Sequence, residues 1–423
     1  MLRQHWYNPT LLPWAIFVIS FGISHIIIIV IRVTRATSGT SSLYEKTIVV
    51  DAIGPPKPLQ GNLIKKMSSL YFLAFERLHL AAVRDDLDDV REILQNRKWS
   101  EFEKMQLVES RDVNKYDRTP LMKACRHGNL RVVEFLVEQC GADLFARDSH
   151  QLGFMSIHLA AEFGQLDVVR YLCECSFEIL EVPDNFKRSP LNVAAFYGKL
   201  NIVQYLIDVK GVKIDNKGEM GRTPFISACE QGHTRVVEYL FRRGANFRAK
   251  TLNDDLGIHL AAFFGHVSTV AKLLWMRPLF LEMPNATKDT ILNRAALGGQ
   301  LPVVRYLVEE VHANIENRGE YGRTPLLQAA DEGHANVVKY LATEAGADLQ
   351  SRDDRNGDTA LHLAAFFNRL KAVDILLQIN QKLAKCRNKQ NLTPYELAER
   401  NHNSEVCRIF RLFKNHHQQQ QQE

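Results

Sequence analysis

The stretch GRTPFISACEQGHTRVVEYL, residues 221–240, returns in altered form at residues 322–341 as GRTPLLQAADEGHANVVKYL. Related stretches follow each other along the chain, and each carries an alanine at the same place: Ala124, Ala160, Ala194, Ala228, Ala261, Ala295, Ala329, Ala364 and Ala398. Neighbouring members of this series lie 33 to 36 residues apart. A fixed period of this length indicates a repeat array in which each unit packs only on its neighbours.

Each unit has the pattern of two helices joined by a tight turn. A hydroxyl residue followed by proline, as at Thr223-Pro224, predicts a helix start, because the hydroxyl caps free N–H groups and proline suits the first helical position. Four residues after the shared alanine, seven units have a glycine, which adopts the positive φ that ends a helix. Asn368 takes this place in a further unit. A Val-Val-x-x-Leu stripe, as at 236–240, predicts the second helix.

Helix, glycine turn, helix and extended loop, with stretches such as RTPLLQAA and ALHLAA, resemble the ankyrin repeat family over about residues 76–413. The resemblance implies an all-α solenoid of about nine to ten stacked helix-turn-helix units with projecting β-hairpin-like loops and a concave groove. It also implies protein binding rather than catalysis. We letter the expected units A to J: a divergent unit A covers 76–116, and B to J start near residues 117, 153, 187, 221, 254, 288, 322, 357 and 391. Units C, F and G lack the proline, so we expect their helix starts to fray more.

Residues 11–31, LLPWAIFVISFGISHIIIIVI, contain no Asp, Glu, Lys or Arg. As a helix this run is long enough to cross a hydrocarbon layer of about 30 Å, and it exceeds the apolar region of a typical signal peptide. We therefore predict a transmembrane anchor that follows a flank of residues 1–10; a cleaved signal and a misassigned chain start are the alternatives. Arg32 and Arg35 after the run favour a cytoplasmic array, either tethered or simply cytoplasmic. We expect a linker over 32–75 and a disordered Gln-rich tail over 414–423.

Composition and motifs give no indication of catalysis. The net charge of +5 over 423 residues is too mild to suggest nucleic-acid binding, and seven cysteines without framework spacing favour a reducing compartment. No phosphate-binding glycine loop, HExxH, GxSxG or zinc spacing occurs, so we expect no enzyme activity, cofactor, metal or small-molecule substrate. One set of imidazoles recurs two residues before the shared alanine, and we interpret its members as hydrogen-bonding the adjacent loop: His79, His158, His259 and His362.

In ankyrin arrays the two residues before the turn glycine face the groove and vary with the partner. Here those positions carry seven aromatic residues: Phe163, Phe196, Tyr197, Phe263, Phe264, Phe366 and Phe367. Aromatic anchors form interface hot spots, so we predict a protein or peptide ligand in the concave groove of units D to I. An extended or helical peptide would cross the rings of units D and F. The second ring of a pair can instead pack on the next helix, which leaves a core role open.

A row of arginines precedes the capping hydroxyls, at Arg118, Arg188, Arg222 and Arg323. We predict that Arg188, Arg222 and Arg323 form a basic ridge that steers an acidic partner segment. Bracing of the adjacent loop is the alternative.

The predicted function is a membrane-tethered interaction scaffold or adaptor, and three alternatives stay open. The array could be the cytoplasmic N-terminal part of an ankyrin-rich TRP-type cation channel, which would require a truncated gene model because nothing after residue 95 is apolar enough to span. It could be a substrate-recruiting adaptor of a ubiquitin ligase, although the C-terminal box of such proteins is not legible in NSEVCRIFRLFKNHH. It could also be a secreted ankyrin toxin, which cleavage after residue 31 would support.

Overall fold

The computed structural model describes residues 14–21, 25–32, 61–112, 116–149 and 152–420. The chain divides into two parts, Met1–Leu73 and Ala74–Glu423. Residues 1–10 and 33–60, which belong to the predicted flank and linker, lie outside the described residues. The helix Gly61–Arg84 begins within the segment 32–75 that was expected to be a linker, so the regular structure starts earlier than predicted.

The uncharged run near the amino terminus contains two strands. Trp14–Phe21 pairs with His25–Arg32 in an antiparallel arrangement that sets Trp14 opposite Arg32. This corrects the expectation of one helix over residues 11–31. The second strand, HIIIIVIR, is rich in β-branched isoleucine and valine, which favour extended backbone. Within the described residues, no helix combines the length and the apolar character needed to cross a membrane.

The described residues from 74 to 420 form a row of helix pairs. The first helices of successive pairs stack on each other, and the second helices stack likewise. After Gly61–Arg84, the described first helices of units B to J are Pro120–His127, Ser156–Phe163, Pro190–Phe196, Pro224–Glu230, Gly257–Phe263, Ile291–Leu297, Pro325–Glu332, Ala360–Phe366 and Pro394–Arg400. The second helices of units A to J are Leu87–Leu94, Leu130–Glu138, Leu166–Cys175, Leu200–Gln204, Thr234–Arg242, Val267–Met276, Leu301–Arg305, Ala335–Thr343, Leu370–Ile379 and Ser404–Gln420. The stacked helix-turn-helix architecture confirms the predicted all-α solenoid.

Local chemistry explains where the helices begin and end. Thr223 Oγ1 accepts a hydrogen bond from the Ile226 N–H at 3.3 Å, as predicted for a capping hydroxyl. Unit C lacks a hydroxyl at this place, and there His158 Nδ1 accepts from the Met155 N–H at 3.3 Å. The imidazole thus satisfies the N–H of the capping residue itself, as the imidazole of His362 does for Thr359 in unit I. All seven turn glycines have φ between 70° and 87°, and Asn368 has φ of 58°, which confirms the predicted left-handed turn.

The likeness between residues 221–240 and 322–341 extends to the backbone of the units around them. Second helices D and G continue into π-helical turns at Tyr205–Val209 and Tyr306–Glu310, and short 3₁₀ turns follow at Glu219–Gly221 and Glu320–Gly322. Met220 and Tyr321 have nearly the same left-handed φ, 54° and 55°. The array therefore has a second period of three units, with C, D and E corresponding to F, G and H.

The core lies between the two rows of helices. The Val-Val-x-x-Leu stripes are buried in every unit that has one, as with Val168, Val169 and Leu172, which are fully buried. At the end of the array, the helix Ser404–Gln420 includes residues 414–420, which corrects the expected disorder there. Glutamine is a good helix former, and the preceding helix supplies the nucleus. Residues 421–423 lie outside the described residues.

Candidate functional site

The predicted aromatic residues lie on one face of the array, formed by the ends of the first helices and the loops that precede them. We call it the inner face. Four of the seven side chains are exposed by about two fifths: Phe163 by 39%, Phe264 by 44%, and Phe366 and Phe367 by 41% each. The others, Phe196, Tyr197 and Phe263, are half-buried. None of the seven belongs to the buried core.

Three of the aromatic pairs share one geometry. The rings of Phe366 and Phe367 meet edge to face with centroids 4.8 Å apart, and the pairs of units D and F do so at 5.1 Å. This arrangement is favourable for aromatic rings. Each pair therefore presents a fixed two-ring surface.

Guanidinium groups cover several of these rings. The guanidinium carbon of Arg126 lies 4.5 Å from the ring centroid of Phe163, and that of Arg294 lies 4.8 Å from Phe263. Arg188 approaches Phe196 less closely, at 5.9 Å. Such cation–π contacts hold both groups in place. No cation covers a ring of the Phe366–Phe367 pair within the described part of the chain.

The predicted arginine row is paired inside the array. Arg188 Nε lies 2.8 Å from Asp184 Oδ2, and the Arg188 side chain is only 14% exposed. Arg222 Nε lies 2.6 Å from Glu230 Oε2. Arg323 Nη1 lies 2.7 Å from Asp331 Oδ2, and Arg118 is paired with Asp148. This geometry fits the bracing interpretation, because a partner carboxylate would have to compete with one already in contact.

Burial weakens two acids on the inner face. Burial raises the pKa of Asp331, and the nearby Arg323 offsets part of that rise. Burial also raises the pKa of Glu162, against a hydrogen bond from Tyr197 that lowers it. Tyr197 itself has a raised pKa, first through burial and then through the Glu162 charge. The carboxyls of units C and H thus depend on their neighbours within the array.

The recurring imidazoles hydrogen-bond the next loop, as interpreted from the sequence. Nε2 of His259 lies 2.9 Å from the Met283 carbonyl oxygen, and Nε2 of His362 lies 3.0 Å from that of Leu392. Burial lowers the pKa of His158 to about 3 and that of His79 to about 4, so both are neutral at neutral pH. Within the described residues, no group of three or more His, Cys, Asp or Glu side chains is placed to hold a metal ion.

A cleft of about 370 Å³ opens on the inner face at units I and J. It brings together three residues predicted from the sequence, Arg323, Phe366 and Phe367. Its walls also include Asp358, Leu397 and two exposed arginines that sequence reasoning missed, Arg355 and Arg400. Aligning the units on their shared alanine would have singled out Leu397, because unit G has an arginine, Arg294, at the same position. A cleft of about 530 Å³ between units A and B contains none of the predicted residues.

Comparison with known families agrees with this architecture. A family model described as ankyrin repeats (3 copies) matches residues 78–182, 157–251 and 258–353, and one described as ankyrin repeat matches residues 356–389. The chain belongs to the ankyrin repeat family. Two of the three-repeat matches coincide with the ankyrin units C to E and F to H, which correspond in the structure. The number of repeats stays a prediction, since unit J lies beyond the last match.

Proposed function

We propose that this ankyrin array is an interaction scaffold that binds a segment of a protein partner along its inner face. Ankyrin repeat proteins are generally interaction modules without catalytic activity. The observation that carries the proposal is the row of part-exposed rings at one position of units C, F and I: Phe163, Phe264 and Phe367. Covering a row of solvent-exposed rings removes apolar surface from water, which favours binding of a partner there.

The ring pairs of units D and F would hold the segment. Phe196 and Tyr197 form one edge-to-face pair, and Phe263 and Phe264 form the other. Between them, unit E presents the paired groups Arg222 and Glu230. A segment with two apolar side chains separated by polar residues matches this order of surfaces.

Photo-crosslinking in cells tests the proposal. A crosslinking amino acid at Phe264 should capture the partner, whereas the same group at Trp275 should not. Trp275 is a matched control because it belongs to the same unit and is 74% exposed, but it lies on the second helix. With the captured partner, a Phe196→Ala, Phe264→Ala variant should bind at least tenfold more weakly and keep its Tm within a few degrees. A large fall in Tm with unchanged binding would show that these rings serve only the array itself.

The captured partner also separates the finer alternatives. A TRP-type channel array and a substrate-recruiting adaptor of a ubiquitin ligase would both use the same face. Recovery of channel subunits would favour the first, and recovery of ligase subunits the second.

Membrane tethering through residues 11–31 is a separate proposal, supported by a run without charged residues. The full chain should remain in the membrane pellet after alkaline carbonate extraction, whereas a chain lacking residues 1–35 should be released. Release of both chains would contradict tethering and favour the cytoplasmic alternative.

A further inference from the structure

Units G and J differ at one position of the first helix, the residue just before the shared alanine. Unit G has Arg294 there, and unit J has Leu397. The Arg294 side chain reaches back to unit F, where its Nη2 lies 3.0 Å from Oδ2 of Asp255. Its guanidinium also lies 4.8 Å from the ring centroid of Phe263. Unit F thus supplies a carboxylate and an aromatic ring that together receive an arginine.

Unit I keeps both receiving groups. Asp358 and Phe366 stand in unit I where Asp255 and Phe263 stand in unit F. The carboxylates are oriented alike, since Asn388 Nδ2 donates to Asp358 Oδ1 at 2.8 Å, just as Asn285 Nδ2 donates to Asp255 Oδ1 at 2.8 Å. Each aspartate is 3% exposed. The difference lies in the next unit, where Leu397 replaces the arginine. A leucine side chain is too short and apolar to pair with Asp358.

The cleft is lined by Asp358, Phe366 and Leu397, so it opens where unit J lacks the arginine. Phe366 is 41% exposed, whereas its counterpart under Arg294 is half-buried. Within the described residues, no cationic side chain lies within ion-pair distance of Asp358. A buried carboxylate without a cation is costly, so a guanidinium that enters the cleft gains both an ion pair and a ring contact.

We propose that the cleft binds an arginine side chain of the partner, which stacks on Phe366 and pairs with Asp358. The inference rests on the proposed binding function and names one side chain of the partner. The charges at the rim of the cleft indicate which residues flank the partner's arginine. Arg355 and Arg400 are exposed and have no carboxylate partner among the described residues, so the partner arginine is flanked by acidic residues. Arg323, the third arginine of the cleft, is already neutralised by Asp331.

The proposal can be tested with the full chain and two fluorescent peptides. One contains the sequence Glu-Arg-Glu between blocked ends, and the other has citrulline, a neutral isostere, in place of arginine. Fluorescence anisotropy should show at least tenfold tighter binding of the arginine peptide. Asp358→Asn should remove this difference, and Leu397→Arg, which restores the residue of unit G, should abolish binding of both peptides.

A thermal measurement keeps the test valid if the peptides bind weakly. Leu397→Arg should give a higher Tm than Leu397→Gln, and Asp358→Asn should cancel that gain. Leu397→Gln also keeps the proposal testable if a polar residue at this buried position weakens folding, because both variants share that effect.

Three results would overturn the inference. The first is equal binding of the two peptides, and the second is undiminished discrimination in Asp358→Asn. The third is a loss of peptide binding in the Arg355→Gln, Arg400→Gln double variant alone, together with equal affinity for the arginine and citrulline peptides. That result would show that the cleft binds the carboxylates of the peptide. Failure here leaves the proposed function standing if crosslinking at Phe264 still captures a partner, since that residue does not line the cleft.

Discussion

His158 and Asn192 occupy the same position in adjoining units, and each donates a hydrogen bond to a carbonyl oxygen of the next loop. His158 Nε2 lies 3.2 Å from the Arg188 carbonyl, and Asn192 Nδ2 lies 3.2 Å from that of Asn216. His158 Nδ1 must accept from the Met155 N–H, so the ring is the neutral tautomer with its proton on Nε2. Protonation at Nδ1 would break the bond from the Met155 N–H. The asparagine performs the same task without titrating.

This equivalence predicts a stability change with pH. Burial lowers the pKa of His158 to about 3 from its ordinary 6.5, so in acid the unfolded chain takes up a proton that the folded chain does not. Stability is therefore lost as pH falls below 6.5, and between pH 6.5 and 5 this one site should account for about 2 kcal/mol.

The measurement is denaturant unfolding of wild type and His158→Asn between pH 7.5 and 5. The wild type should lose more free energy of unfolding than the variant across this range. Other titrating groups are common to both proteins and cancel in the difference. Parallel curves would mean that His158 is protonated in the folded state.

The arginine row yields a second prediction. Arg323→Gln should lower the free energy of unfolding by about 1–3 kcal/mol, because it leaves the buried carboxylate of Asp331 without its cation. Asp331→Asn in the same chain should recover part of the loss. If Arg323 were instead a free partner contact, thermal unfolding would be unchanged and only partner binding would suffer.

The third prediction concerns two glycines with similar backbone dihedral angles. Gly333 and Gly346 have φ of 82° and 76°, so an alanine at either carries the left-handed cost of about 1–2 kcal/mol. A Cβ at Gly333 would lie 2.7 Å from Cδ of Arg369, whereas one at Gly346 would meet nothing within 4 Å. Gly333→Ala should therefore have the lower Tm in thermal unfolding. Equal losses would show that the Arg369 side chain moves aside without cost.

Arg294→Leu is the counterpart of the change proposed for unit J. It leaves Asp255, which is 3% exposed, without its guanidinium, and the free energy of unfolding should fall by about 1–3 kcal/mol. The variant should also gain binding of the Glu-Arg-Glu peptide at units F and G. A stable variant would indicate that the pair contributes nothing net, and an absent gain would show that the rim arginines of units I and J are essential.

Features set by neighbouring residues were predictable from the sequence. A helix start depends on one hydroxyl and one proline, and a turn depends on one glycine, so Thr223 and Gly333 identify their own conformations. The run of 11–31 misled the prediction because an uncharged stretch suits either a spanning helix or paired strands, and the choice depends on contacts beyond its own residues.

The cleft could be predicted only in part, for a physical reason. Phe366 and Phe367 are visible as a pattern, but the space beside them depends on which side chain arrives from unit J. A leucine in place of an arginine looks unremarkable within one unit. It acquires meaning only when units G and J are superimposed and the distance from Arg294 to Asp255 is known. The partners of the loop arginines also depend on how the loops pack.

The first helices of units B to J pack on their neighbours in the row, and the second helices of units A to J do the same. A repeat array packed in this way has no single hydrophobic core shared by all units, so small rotations at successive interfaces add up to a change in curvature. The array is therefore elastic along its length. A partner that binds several repeats at once can bring them closer together. The deformation is then distributed over many interfaces between units rather than concentrated at one hinge.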